Sequence, residues 1–575
     1  MRAIGAILAL GVLVGACGTI SGVLGRDGEQ HSPAAAPLVA MDTPLPAFAF
    51  PPLSPPAILA HVEELASDGY VGRAPAEDGE EQTLAYLEAA FYQAGLQPGV
   101  READGTMGWR QLTPLVSATV EGAPRMTIAS ATEAQDYAYR SEQVIWTKRL
   151  EPHISLVGAP LVFVGYGVVA PELGWNDYAG IDMTGKIAVI LINDPDFETG
   201  DDRGFGGRAM TYYGRWTYKF EEAARQGAAG ALIIHETAPA AYPWPVVMSS
   251  WTGPQLDTVR GSDAPQRVQV EGWISASMAS SLFTRAGLDF GALKTRARSR
   301  GAPPVEMGLA ATVSLDTVIS SSQSYNVVGI LPGRARPDEA VLYTAHWDHL
   351  GRCTPVDGDD ICNGAQDNAT GTAGLIEIAR RHVAAGRPER SVVFVAFTAE
   401  EQGLLGSIYY ANHPIVPAAQ TVAAINMDGL NVFGATHDVT ITGFGKSDLD
   451  ALLTREAATQ NRRVEPEPFP ERGGFYRSDH FPLANVGIPV LYARSGLDMV
   501  IGGRERGEAL SNQYVAERYH KPNDEVTPDW DLTGASQDLQ LFYHVGRDLA
   551  SGTLWPEWSA TAEFRARREA SLAGR

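Results

Sequence analysis

Basic residues are scarce in this chain. Lys and Arg number 45 against 68 Asp and Glu, leaving a net charge of −23. That argues against a nucleic-acid partner, which needs a clustered basic face. Surplus acid also serves solubility, so it identifies no substrate. Cysteine is nearly absent, with three in 575 residues and no Cys-x-x-Cys pair, which weakens a thiolate zinc site. No internal repeat is visible. The apolar run at residues 3–14 is too short to span a bilayer permanently.

What is present points to a large folded chain. At 45% hydrophobic and 20% charged residues, it can bury a sizeable core and hold two or more domains. Arg2 followed by the apolar run reads as an export signal. The run ends in Val14-Gly15-Ala16-Cys17, which resembles the lipobox of bacterial lipoproteins. That resemblance implies removal of residues 1–16 and acylation of Cys17; the plainer alternative is an ordinary signal peptide with an incidental cysteine. Several acyl chains would anchor the chain stably to a membrane. Gly18 stands where an inner-membrane retention aspartate would be, so the expected address is the outer membrane, facing the periplasm. Cys353 and Cys362 lie in one short loop of an exported chain and are expected to form a disulfide, two free thiols being the alternative.

Residues 17–54, rich in Ala, Pro and Gly, read as a flexible tether. Helical spacing begins at Ile58, Leu59, Val62 and Leu65, and a second helix fits Glu80 to Ala94, stopped by Gly95. From about residue 158, strands 160–167, 185–192 and 229–234 flank a helix at Tyr218 to Gln226. The segments "GYG…GWNDYAGIDMTGKIAVIL" and "KFEEAARQGAAGALII" resemble a protease-associated domain, giving an inserted β-rich unit at 136–299 within a main domain of 55–135 and 300–555, with a tail at 556–575. After residue 320, strands 325–330, 340–345, 392–397, 421–426 and 488–492 alternate with helices, notably Thr370 to Ala385. Alternation of this kind implies an α/β fold, a mostly parallel or mixed sheet with helices on both faces.

Acidic and histidine positions fall where these strands stop, the place at which such sheets gather functional groups. His346 and Asp348 follow the strand 340–345; Asp348 can hold the His346 ring in place. Asp367 precedes the helix at Thr370, where an N-cap is the plain reading, yet its two oxygens could serve two metal ions. Glu400-Glu401 ends the most apolar strand, a costly place for two carboxylates unless they are paired or metal-bound. Chain neighbours point apart, so Glu401 is the expected ligand and Glu400 the general base. Asp428 follows another strand end, and His520 completes the set; alone, either would read as an ordinary loop residue. Two imidazoles with carboxylates suit zinc, though cobalt or manganese could occupy the same donors.

The segments "TAHWDHLG", "NGAQDNATG", "FTAEEQGLLGS", "NMDG", "RSDHFPLANVGIP" and "YHKPNDE", in that order, resemble the bacterial di-zinc aminopeptidases, whose relatives include glutamate carboxypeptidase and transferrin receptor. The resemblance implies two zinc ions held by His346, Asp367, Glu401, Asp428 and His520, with the partition of the terminal ligands between them undecided. It implies hydrolysis of peptides from the N-terminus, with Glu400 moving the proton of an activated water to the leaving amine. Tyr476, in the loop before Ser478-Asp479-His480, is then the candidate donor to the tetrahedral oxyanion. A carboxypeptidase, a dipeptidase, a glutaminyl-cyclase-like enzyme and a binding homologue without chemistry are the alternatives on the same fold.

Overall fold

The computed structural model describes residues 53–260 and 266–573. The expected signal, Cys17 and all but the end of the tether lie outside them. Helices α1 (Pro55–Leu65) and α2 (Glu80–Ala94) open the described chain. The second stops where expected because Gly95 takes φ 91°, a left-handed conformation that only glycine adopts cheaply.

The central sheet is built from β1 (Arg110–Val120), β2 (Val305–Leu331), β3 (Arg336–His346), β4 (Arg390–Phe397), β5 (Thr421–Asn426) and β6 (Val490–Ser495). Their spatial order is β1-β2-β4-β3-β5-β6: β4, β3, β5 and β6 run parallel, and β2 joins antiparallel to both β4 and β1. Residues 340–346 of β3 are buried throughout, as a strand covered on both faces must be. Side chains alternate along it. Val341, Tyr343 and Ala345 enter the core beneath α1 and α2, whereas Ala340 and Leu342 enter the core on the opposite face. Fully burying a Val or Leu side chain contributes roughly 1.5–3 kcal/mol, so β3 is pinned from both sides and its carboxyl end is rigid. The chain leaves β3 for β4 on one side and later crosses to β5 on the other. The reversal puts a crevice beyond the end of β3, the usual ligand position in such sheets.

A second sheet contains strands 125–129, 153–163, 187–191, 230–235 and 270–275, with the helix Trp216–Arg225 (α3) packed on it. The expected limits of the insertion, 136 and 299, are displaced outward. Strand β2 belongs to both sheets: Ser314 pairs with Arg125 and Asp316 with His153, but Thr317 pairs with Val120 of β1. One continuous strand crosses the boundary, so its alternating pattern gives no sign of where partners change. The expected tail at 556–575 is also corrected, because its described part is packed. Trp558, Phe564 and Arg568 are buried, and Arg568 donates to the carbonyls of Ala418 and Thr421. Among the described residues no helix is long and apolar enough to cross a membrane.

Candidate metal centre

His346 is the last residue of β3, and its ring is held from behind. Its Nδ1 lies 3.1 Å from the carbonyl of Asp348, while Nε2 faces Asp367 Oδ1 and Asp428 Oδ1, each at 3.4 Å. The Asp348 carboxylate is fully buried and accepts the backbone N–H groups of Glu400 (3.1 Å) and Glu401 (3.4 Å). Burial pushes this carboxyl up to about 8, against the opposing pull of His346. Asp348 therefore ties the end of β3 to the turn that follows β4, fixing three of the expected site residues relative to one another.

Asp367 stands in a non-helical kink before the helix Thr370–Ala384 (α4), with φ −111° and ψ 93°. Asp524 accepts the backbone N–H of Gln366 (3.1 Å) and of Asp367 (3.0 Å), so a second buried acid sets the kink. The plain reading of Asp367 as an N-cap does not hold, since no side-chain cap bond is made at this helix start. Instead its two oxygens face different histidines: Oδ1 lies toward His346, and Oδ2 lies 3.4 Å from His520 Nε2.

Glu401 Oε2 is 3.1 Å from His520 Nε2, and its Oε1 is 2.6 Å from His349 Nδ1. Burial raises the Glu400 carboxyl well above the usual range, His346 opposes the rise, and Asp428 and Glu401 add to it. Asp428 is oriented by a relay of hydrogen bonds. The Thr344 hydroxyl donates to Asn426 (2.7 Å), the Asn426 amide to Ser478 (2.8 Å), and the Ser478 hydroxyl to Asp428 Oδ2 (2.6 Å).

Two sets of donor atoms emerge, His346/Asp367/Asp428 and His349/Asp367/Glu401, each with ligand atoms within 4.8 Å of one another. They share Asp367. Imidazole nitrogens and carboxylate oxygens crowded together below the surface suit borderline cations such as zinc. Burial pulls the His520 imidazole down, but Glu401 and Asp367 outweigh it and push it up to about 10. The cluster thus has an excess of anionic charge that attracts a proton wherever no other cation is at hand.

The structure brings His346, Asp348, Asp367, Glu400, Glu401, Asp428 and His520 together. It does not bring Tyr476 to them. Its hydroxyl donates to Glu563 at 2.5 Å, beside Lys446, and its ring packs near Tyr212 and Phe481. An oxygen so engaged cannot serve the oxyanion, and that expectation is corrected. Cys353 and Cys362 are bonded, with sulfurs 2.01 Å apart, closing a hairpin of strands 351–356 and 359–362.

Three contributors escaped the sequence reading. His349 lies inside the segment "TAHWDHLG", so its proximity was available as a signal. Asp524 lies inside "YHKPNDE", but its bonds to Gln366 and Asp367 depend on tertiary approach. Arg73 carries no local signal. It is buried and donates to the carbonyls of Leu65, Trp347, Asn363 and Gly364.

Residues 326–543 match the profile of peptidase family M28. The chain is 28% identical over 220 residues to leupeptin-inactivating enzyme 1 of Streptomyces exfoliatus, covering 38% of this chain and 47% of that protein. It is 35% identical over 127 residues to aminopeptidase NAALADL1 of Mus musculus, covering 21% of this chain and 15% of that one. The match thus spans about half, or less, of these curated relatives. Among solved structures, an aminopeptidase from Aneurinibacillus sp. strain AM-1 aligns with a TM-score of 0.47 at 18% identity, over 88% of this chain and 95% of that one.

Proposed function

We propose that this chain is a metal-dependent exopeptidase holding two zinc ions, most simply an aminopeptidase that releases residues from peptide N-termini. The observation that carries the reading is the pair of donor sets meeting at Asp367. The M28 match over residues 326–543 supports it independently. In this reading His346 and Asp428 would hold one ion, Glu401 would hold the other with His349 or His520, both of which it meets, and Asp367 would reach both.

Bound divalent ions would supply an acidified water and a polarised scissile carbonyl. The remaining work falls to the chain. Glu400, which like Asp348 belongs to neither donor set but whose backbone Asp348 holds, accepts the proton of the attacking water and returns it to the departing amine. Its raised proton affinity, caused first by burial, suits a group that must hold that proton between the two steps. Asp348 keeps Glu400 and Glu401 in register with His346 through their backbone N–H groups. The Thr344–Asn426–Ser478 relay fixes which oxygen of Asp428 faces the centre.

The same reading places the chain outside the cytoplasm, anchored to a membrane through Cys17, with the second sheet as the protease-associated insertion. The Cys353–Cys362 bond supports an oxidising compartment. Glu400→Gln tests the mechanism. Metal content measured by atomic absorption should remain near that of the parent, while turnover of an aminoacyl-nitroanilide falls about a thousandfold, within the range for loss of a general base. Turnover close to the parent's removes Glu400 from the reaction. Full activity after exhaustive chelation would remove the metals.

A further inference from the structure

A surface cavity of about 250 Å³ opens where α1 ends, and its polar lining is Glu63, Ser67, Asp68, Asn363 and Glu525. Three stretches of chain meet there. Glu63, Ser67 and Asp68 come from α1 and the turn after it, Asn363 stands four residues before Asp367, and Glu525 stands five after His520. The three carboxylates are exposed and form no ion pair among the described residues.

The Asn363 amide joins two of them. Its Nδ2 donates to Asp68 Oδ1 at 3.0 Å and to Glu525 Oε1 at 3.4 Å, so both carboxylates converge on one nitrogen. A neutral amide leaves their mutual repulsion uncompensated. Its other end is left over: Asn363 is 2% exposed, and its Oδ1 is buried without a hydrogen-bond partner among the described residues. A buried amide oxygen in that state is costly until a donor or a cation completes it. The basic side chains nearby in the fold are already engaged elsewhere. Arg73 gives its N–H groups to the carbonyls of Leu65, Trp347, Asn363 and Gly364, and Lys521 donates to the carbonyl of Ala516.

The donor chemistry selects the occupant. Carboxylate, amide and hydroxyl oxygens, with neither imidazole nor thiolate among them, suit a hard cation rather than zinc. Calcium accepts about six to eight oxygens in irregular geometry, water included, whereas magnesium demands a tight octahedron. The cavity has room for an ion with its waters, and exposed carboxylates on separate segments can turn toward it. We propose that Asp68, Asn363 and Glu525 bind a calcium ion in this cavity, with Glu63 and water completing its shell. The ion would tie the end of α1 to the two loops on which Asp367 depends. Asn363 opens one of them. Glu525 adjoins Asp524, whose carboxylate accepts the N–H groups of Gln366 and Asp367. Calcium therefore stabilises the folded chain by mass action.

The test is binding of the metal alone. The full chain, dialysed against calcium-free buffer, is titrated calorimetrically with calcium chloride. One ion per chain should bind with a Kd between about 10 µM and 1 mM, and magnesium at least about tenfold more weakly. Saturation should raise the thermal midpoint by about 2–4 °C. Asp68→Asn and Glu525→Gln are exposed substitutions, and each keeps an oxygen for the Asn363 bond. Each should weaken calcium binding at least about tenfold, and the double variant should lose both the binding and the midpoint shift. Calcium-free melting of all three near the parent's separates a lost ligand from a lost fold. Absence of saturable binding in the parent up to about 10 mM calcium overturns the proposal, and so does a Kd that the double variant leaves unchanged. Neither measurement depends on turnover, so the outcome is independent of the peptidase reading.

Discussion

Arg73→Met is the sharpest test of how the centre is assembled. The guanidinium is 1% exposed and makes four bonds to backbone carbonyls: Leu65 at 2.5 Å, Asn363 at 2.7 Å, and Trp347 and Gly364 at 2.9 Å. Trp347 adjoins His346, and Gly364 lies three residues before Asp367, so one side chain joins the two loops that carry these donors. Methionine fills comparable space but leaves four carbonyls without a donor. At roughly 1–3 kcal/mol for each orphaned buried group, the loss is roughly 4–12 kcal/mol. Against it stands relief of a buried cation. The guanidinium is pulled down to about 10 by burial, despite the opposing charges of Asp348, Asp524, Asp367 and Glu401, and that displacement corresponds to about 3 kcal/mol. The expected net destabilisation is about 4 kcal/mol, read from urea unfolding of the metal-free protein. Zinc affinity, measured against a competing chromophoric chelator, should fall between tenfold and a hundredfold, the usual effect of losing a group that orients ligands. Arg73→Lys keeps the charge but not the planar fork, and should recover only part of both quantities. Stability within about 1 kcal/mol of the parent, or unchanged zinc affinity, would falsify the clamp.

Other consequences can be checked with single substitutions. His349→Ala removes the partner of Glu401 Oε1 and, on the proposed two-zinc reading, should lower bound zinc from two ions per chain toward one, by atomic absorption after dialysis; retention of both ions would make His349 dispensable. Asp177 probes pH dependence far from the metals. Burial raises its carboxyl to about 7, against the bonds it accepts from Val168 and Trp175. The folded chain therefore holds a proton that the unfolded chain releases near pH 4, so the Asp177 contribution is full below about pH 4 and is lost as pH rises through about 7. Asp177→Asn should gain on the parent by about 4 kcal/mol between pH 4 and 7.5, read as diverging unfolding midpoints. Parallel curves for the two proteins would rule out the titration.

Legibility from sequence followed the locality of each cause. The extent of α2 is set by its own spacing and by Gly95, and both are local. The ligand set was readable for a related reason. His346, Glu401 and Asp428 each follow a buried strand, and apolar runs stand out in a sequence even when their neighbours are unknown. Arg73 lies 274 residues from Trp347, so its role exists only once the chain has folded. Tyr476 was misread because its partner, Glu563, lies 87 residues onward in a segment expected to be a tail. The limits of the insertion were missed because β2, 27 residues long, keeps the same period of two while it exchanges one sheet for the other.

The segment 474–481 concentrates these effects. Within it, Tyr476 is held by Glu563, Ser478 holds Asp428, Asp479 accepts the Ser407 hydroxyl at 2.6 Å, and Phe481 meets Tyr212 from the second sheet's domain. Burial also raises the Asp479 carboxyl to about 7, with His346 opposing, which puts this segment within the electrostatic reach of the centre. One short loop therefore orients a candidate metal ligand at Ser478 and meets the second sheet's domain at Phe481.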